Sequence, residues 1–139
     1  MMCLFCKIIE GKLPSYKVYE DEKTLAFLDI NPVSDGHVLL VPKYHEQFVE
    51  NLPEEYHDTL FATVRKLVKP IQDTFDAPAS NVMINNGPNA GQIIPHVHVH
   101  IIPRPAPIGN KFFTTTSRMK KSIEYFEAIA EKIREKIRQ

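Results

Sequence analysis

His96-Val97-His98-Val99-His100-Ile101-Ile102 is a β-branched run in which every second residue of the first five is a histidine. In an extended strand alternate side chains share a face, so His96, His98 and His100 point one way and Val97, Val99 and Ile101 the other. Three imidazoles on one face are not a core pattern. Residues two apart are separated by roughly 6.6 Å, so His96 and His100 stand ~13 Å apart. Zinc asks for Zn–N of about 2.0–2.1 Å in a tetrahedron, so all three on one ion would be strained and the spacing favours a division of labour. Imidazole is largely neutral at pH 7 and can act as a covalent nucleophile. A phosphorus electrophile would need donors for its non-bridging oxygens, and the loop Asn85–Gln92, rich in Gly, Pro and Asn, lies just upstream.

Working outward, the run reads as a strand over residues 97–102 stopped by Pro103, and Val82–Asn85 as a brief strand before it. Pro53-Glu54-Glu55 opens a helix, with proline at its first position and acids in its first turn. Tyr56, Leu60, Val64, Leu67, Ile71 and Phe75 give that helix one buried stripe. Pro70 is expected to kink or end it a turn early. Towards the N-terminus, Lys17–Glu20 and Thr24–Asp29 flank the turn Asp21-Glu22-Lys23 as a hairpin, and His37–Val41 follows the turn Ser34-Asp35-Gly36 as a further strand. Leu4–Glu10 is a short helical segment closed by Gly11 and Pro14. Towards the C-terminus, Pro103, Pro105 and Pro107 and a polar tract, Thr114–Ser117, precede a final helix whose stripe is Ile123, Phe126, Ile129, Ile133 and Ile137. Residues 117–139 carry 7 basic and 4 acidic side chains, read as the solvated face of a helix packed on the body.

The chain has 139 residues, enough for one domain with its own core. Its 17 Lys plus Arg balance 17 Asp plus Glu, which argues against a grip on a nucleic-acid polymer but allows a nucleotide monomer. No apolar run approaches the ~18 residues of a membrane span. Met1-Met2-Cys3-Leu4-Phe5-Cys6 meets Lys7 too early for a signal peptide, so a cytoplasmic, reducing compartment is expected. There the pair Cys3-x-x-Cys6 reads as metal or redox chemistry rather than a disulfide framework. Both readings stay open from spacing alone, because no second C-x-x-C follows and the βαβ setting of a redox pair is missing.

The histidine run resembles the histidine-triad (HIT) motif, His-φ-His-φ-His-φ-φ with φ apolar. The likeness continues through Phe27-Leu28-Asp29-Ile30-Asn31-Pro32, Gly36-His37-Val38, Val41-Pro42-Lys43, Asn85-Asn86-Gly87 and Ala90-Gly91-Gln92, covering about residues 3–104. The closest likeness is to the histidine-triad nucleotide-binding (Hint-like) branch with an N-terminal cysteine pair. The resemblance implies an α+β, HIT-like fold: a mainly antiparallel five-stranded sheet, a packed helix and a C-terminal helical extension, in a homodimer whose sheets join. It divides the chain into a HIT domain over residues 1–105 and an extension with an amphipathic helix over 106–139.

It also implies a purine nucleotide hydrolase or nucleotidyl transferase of the nucleotide phosphoramidase type. His98 would be the nucleophile on the α-phosphorus, His100 would contact phosphate oxygens, and His37 would support the orientation of His98. Asn85 and Gln92 would bind near the phosphate, Asp29 would take the ribose hydroxyls, and Phe5, Ile8, Phe27 and Ile30 would wall the base. Cys3 and Cys6 would complete a structural zinc site with His45 and His96, and His57 on the helix would be exposed. The alternatives are a dinucleoside polyphosphate hydrolase using the same residues, or a nucleotide- or zinc-binding module with vestigial catalysis. Ile93 departs from the phosphoramidate-cleaving branch, which often carries a hydroxyl there to protonate the leaving amine.

Overall fold

Thr24–Leu28 and Val38–Pro42 are runs in which every residue is buried, which marks strands covered on both faces rather than on one. The computed structural model describes residues 3–109 and 120–139. In chain order its elements are α1 (Leu4–Ile9), β1 (Lys17–Glu20), β2 (Thr24–Leu28), β3 (Val38–Pro42), α2 (Glu54–Thr74), β4 (Ala79–Met83), β5 (Val99–Arg104) and α3 (Ile123–Arg138). The strands form one five-stranded sheet in the order β1-β2-β3-β5-β4, antiparallel throughout. The α+β reading and the five-stranded sheet are therefore correct. No helix among the described residues is long and apolar enough to cross a membrane.

Alternation divides the apolar residues of β2 and β3 between two buried clusters. Ala26, Leu28, Val38, Leu40, Val97, Val99 and Ile101 pack with Leu60, Leu67 and Ile71 of α2 and with Phe126, Ile129, Ala130 and Ile133 of α3. On the opposite face Leu25, Phe27, Leu39 and Val41 pack with Phe5 and Ile8 of α1. Leu39 pairs with His100 across the β3–β5 ladder, and paired residues share a face, so the histidines lie on the α1 side.

Several boundaries differ from expectation. α2 runs through Pro70 to Thr74 instead of ending early. Fully buried Ile71 anchors the last turn, and the carbonyl deprived of a donor belongs to exposed Lys66, where water can serve it. Pro53 flanks α2 as its cap rather than occupying its first turn. β4 spans Ala79–Met83, not residues 82–85, because it is an edge strand that tolerates polar residues: Ser80 bonds Gln72 and Asn81 bonds Arg104. β5 starts at Val99 and continues past Pro103, while His96 sits in a bend before it. Pro103 directs its carbonyl to the Ser34 hydroxyl at 3.1 Å, on the side where β3 has already ended, so the ladder loses no donor there. On α3, Ile123 is 62% exposed and Ala130 takes its place in the buried stripe. The polar tract Thr114–Ser117 lies outside the described residues.

Candidate active site and cysteine–histidine cluster

Six residues are too few for a helix to stand alone, so α1 exists because its side chains are held. Cys3 caps it, its Sγ accepting the Cys6 N–H at 3.3 Å, and Phe5 and Ile8 are buried against the sheet. The cap brings the Cys3 and Cys6 sulfurs to 3.3 Å. His45, just after β3, puts Nδ1 3.2 Å from Cys6 Sγ. His96, in the bend before β5, puts Nδ1 3.4 Å from Cys3 Sγ and 3.7 Å from Cys6 Sγ. All four donor atoms lie within 4.8 Å of one another. Tetrahedral zinc with Zn–S ≈ 2.3 Å and Zn–N ≈ 2.0 Å has S···N edges of about 3.5 Å, so both the donor set and its spacing fit the ion. His96 Nε2–H donates to the Pro42 carbonyl at 2.9 Å, which fixes the tautomer and turns the Nδ1 lone pair to the sulfurs. Burial holds the His96 ring neutral, pushing its pKa down to about 4, and pushes the Cys3 thiol up.

His98 is set by its own backbone. Its Nδ1 lies 2.8 Å from the His96 carbonyl, a contact only an N–H can make, so neutral His98 carries its lone pair on Nε2. Burial lowers its pKa and keeps the ring in that form. The Phe5 ring meets His98 edge-on with centroids 5.1 Å apart. His37 joins His100, Nε2 to Nδ1 at 2.9 Å, rather than His98 itself, so any hold on His98 runs through His100, whose ring lies 5.0 Å from that of His98. The Val33 N–H donates to His37 Nδ1 at 3.2 Å. A neutral His37 therefore keeps its proton on Nε2 and gives it to His100 Nδ1, which leaves the His100 proton on its own Nε2.

Asp29 Oδ2 stands 3.6 Å from His37 Nε2, and the Asp29, His37 and His100 donor atoms also fall within 4.8 Å of one another. The protonated His37 Nε2 makes this trio a proton-bearing chain, since a metal ligand would need a lone pair there. Asp29 Oδ1 is meanwhile occupied by the Asn31 N–H at 2.8 Å.

The loop between β4 and β5 is braced by one amide. Gln92 accepts the Gly87 N–H at 2.8 Å and donates to the Gln47 carbonyl at 3.0 Å, which ties the loop to the segment after β3. Half-buried Asn85 lies along the same loop, its Nδ2 against Gly91. Of the expected wall residues, Phe5, Ile8 and Phe27 form one buried cluster, with Phe5 and Phe27 edge-to-face at 5.5 Å. Ile30 is 61% exposed and Ile93 is 85% exposed, so both stand at the surface. His57 is exposed on α2.

Sequence reasoning missed the backbone members: the Val33 N–H and the Pro42 and His96 carbonyls. Every residue carries such groups, so no residue type could have signalled them.

The HIT domain family model matches residues 10–106. The chain is 42% identical over 106 residues to adenosine 5'-monophosphoramidase HNT1 of Candida albicans, covering 73% of this chain and 70% of that protein. A hypothetical histidine triad nucleotide-binding protein from Sulfolobus tokodaii superposes with a TM-score of 0.87 at 39% identity, covering 98% of this chain and 92% of that one. A Zn-bound histidine triad family protein from Mycobacterium smegmatis gives 0.84 at 31% identity, covering 100% and 95%.

Proposed function

The chain belongs to the HIT domain family, and on that premise we propose that it is a purine nucleotide hydrolase or nucleotidyl transferase working through a covalent nucleotidyl-His98 intermediate. The observation that carries this reading is the 2.8 Å bond from His98 Nδ1–H to the His96 carbonyl, which leaves Nε2 as the lone pair. His98 Nε2 attacks the α-phosphorus, and the bond from phosphorus to the leaving group breaks as the P–N bond to His98 forms. A departing amine gains its proton from water as its bond to phosphorus breaks. A second water then attacks phosphorus, the P–N bond to His98 breaks, His98 Nε2 regains its lone pair, and the proton lost by that water replaces the one the amine took. His37 keeps the His100 proton on Nε2, where it can face a phosphate oxygen. Phe5, Ile8, Phe27 and Ile30 wall the base, Asp29 takes the ribose hydroxyls, and Asn85 and Gln92 lie near the phosphate. The monophosphoramidase name of the Candida albicans relative supports an adenosine phosphoramidate as substrate.

Cys3, Cys6, His45 and His96 would hold zinc, which supplies a closed structural tie and no open position for chemistry. The Zn-bound Mycobacterium smegmatis neighbour supports this assignment. A homodimer in the cytoplasm completes the reading.

The test is to mix the protein with adenosine 5'-phosphoramidate, quench it in base and weigh the intact chain. Wild type should carry an adenylyl group that His98→Asn lacks. Turnover by a wild type that never carries the group would sink the covalent route.

A further inference from the structure

Tyr125 lies on α3, beyond residue 106 where the family match ends. Its hydroxyl donates to Asp35 Oδ1. Asp35 belongs to the turn that links Asp29 to His37, and the turn is fixed elsewhere by the Asn31 N–H on Asp29 at 2.8 Å and by the Ser34 hydroxyl on the Pro103 carbonyl at 3.1 Å. The same turn presents the Val33 N–H to His37 Nδ1, a contact that, with the Asp29 carboxylate 3.6 Å from Nε2, favours the His37 proton on Nε2. On its inner side Gly36 sits at φ +83° with the Phe75 ring filling the place a Cβ would take, so the turn is stopped against the residue that caps α2. On its other side it meets α3. Tyr125, Phe126 and Ile129 meet Asp29, Gly36 and His37 along one narrow crevice.

We propose that Tyr125 is a positioning residue for the His37–His100 pair, acting through Asp35 and the turn that presents the Val33 N–H. The inference rests on the nucleotidyl chemistry proposed above. The Val33–His37 contact, at 3.2 Å, is at the long end for an N–H donor, so a small displacement of the turn weakens it. His37 is then able to hold its proton on Nδ1. In that tautomer Nε2 no longer donates to His100, and the His100 proton is no longer directed to Nε2.

The test uses the full, zinc-supplemented chain, with ring-nitrogen NMR of the histidines alongside turnover of adenosine 5'-phosphoramidate. Tyr125→Phe keeps the aromatic ring and removes only the hydroxyl. The His37 and His100 ring nitrogens should shift, and kcat should fall about three- to tenfold, the scale of one lost hydrogen bond, with KM unchanged. Asp35→Ala breaks the same contact from the turn without touching α3 and should reproduce both changes. Asp35→Asn still offers an oxygen to the hydroxyl and should keep most of the rate. Unmoved His37 and His100 signals in both Tyr125→Phe and Asp35→Ala would overturn the proposal, whatever happens to the rate. Shifted signals in a protein whose wild type never turns over a nucleotide would uphold the positioning role and refute the proposed chemistry instead.

Discussion

Gln92→Ala separates two roles for one amide. The side chain is 7% exposed and makes two hydrogen bonds, accepting the buried Gly87 N–H at 2.8 Å and donating to the Gln47 carbonyl at 3.0 Å. Truncation leaves both backbone groups without that partner. A buried donor left unsatisfied costs about 1–3 kcal/mol, and the half-buried carbonyl adds about 1 kcal/mol, for a total of about 2–4 kcal/mol. With a urea m-value near ~2 kcal/mol/M, the midpoint should fall by about 1–2 M with the slope unchanged. Equilibrium urea unfolding of the zinc-loaded protein reads this directly. Gln92→Glu sharpens the comparison: one carboxylate oxygen can still accept from Gly87, but the other turns a charge towards the Gln47 carbonyl, so stability should again fall. An unmoved midpoint with a raised KM would refute the reasoning, because the amide would then serve the substrate rather than the loop.

Elemental analysis after zinc-supplemented expression should find about one zinc per chain, with Cys6→Ala losing it and affinity falling as acid protonates the thiolates. Less than a tenth of an equivalent in wild type would dismiss the metal. His98→Asn should lose several orders of magnitude in turnover while calorimetry finds adenosine monophosphate affinity little changed; parallel loss of both would make His98 structural. Asp29→Ala should do the reverse, weakening binding by about 0.5–3 kcal/mol through lost ribose hydrogen bonds. Ile93→Ser should raise the phosphoramidate rate relative to the dinucleoside polyphosphate rate, because general acid help to a leaving amine is worth about 10²–10⁴-fold. A flat or falling ratio in a folded, zinc-loaded protein would show that this side chain is not limiting.

Where side chains alternate or recur, the sequence was legible. Leu25 to Leu28 and Val38 to Val41 announce strands because both their faces are buried, and the α2 stripe announces its packing. β4 was misplaced because an edge strand can hold Ser80 and Asn81, which no apolar pattern marks. Pro70 misled because a buried Ile71 outweighs one missing donor. The residues of both histidine groups could be named from the motif, and so could the company of Cys3, Cys6, His45 and His96, but the pairings around His98 could not. His37 meets His100 and not His98, and Gln92 bridges the Gly87 N–H and the Gln47 carbonyl, because both choices follow from backbone positions that side-chain identity does not encode.

The cysteine–histidine cluster joins positions 93 and 90 residues apart in the chain. During synthesis from the amino end, both thiols and the Phe5 and Ile8 side chains emerge long before His96 exists. A six-residue α1 has too few hydrogen bonds to persist unaided over that interval. Its partners across the sheet, Phe27, Leu39 and Val41, come next, and the His45 imidazole after them. The fourth donor comes only with the stretch of chain that also brings His98 and His100. The segment made first thus waits longest for its last donor, and Phe5 meets the His98 ring only when that late stretch of chain is in place.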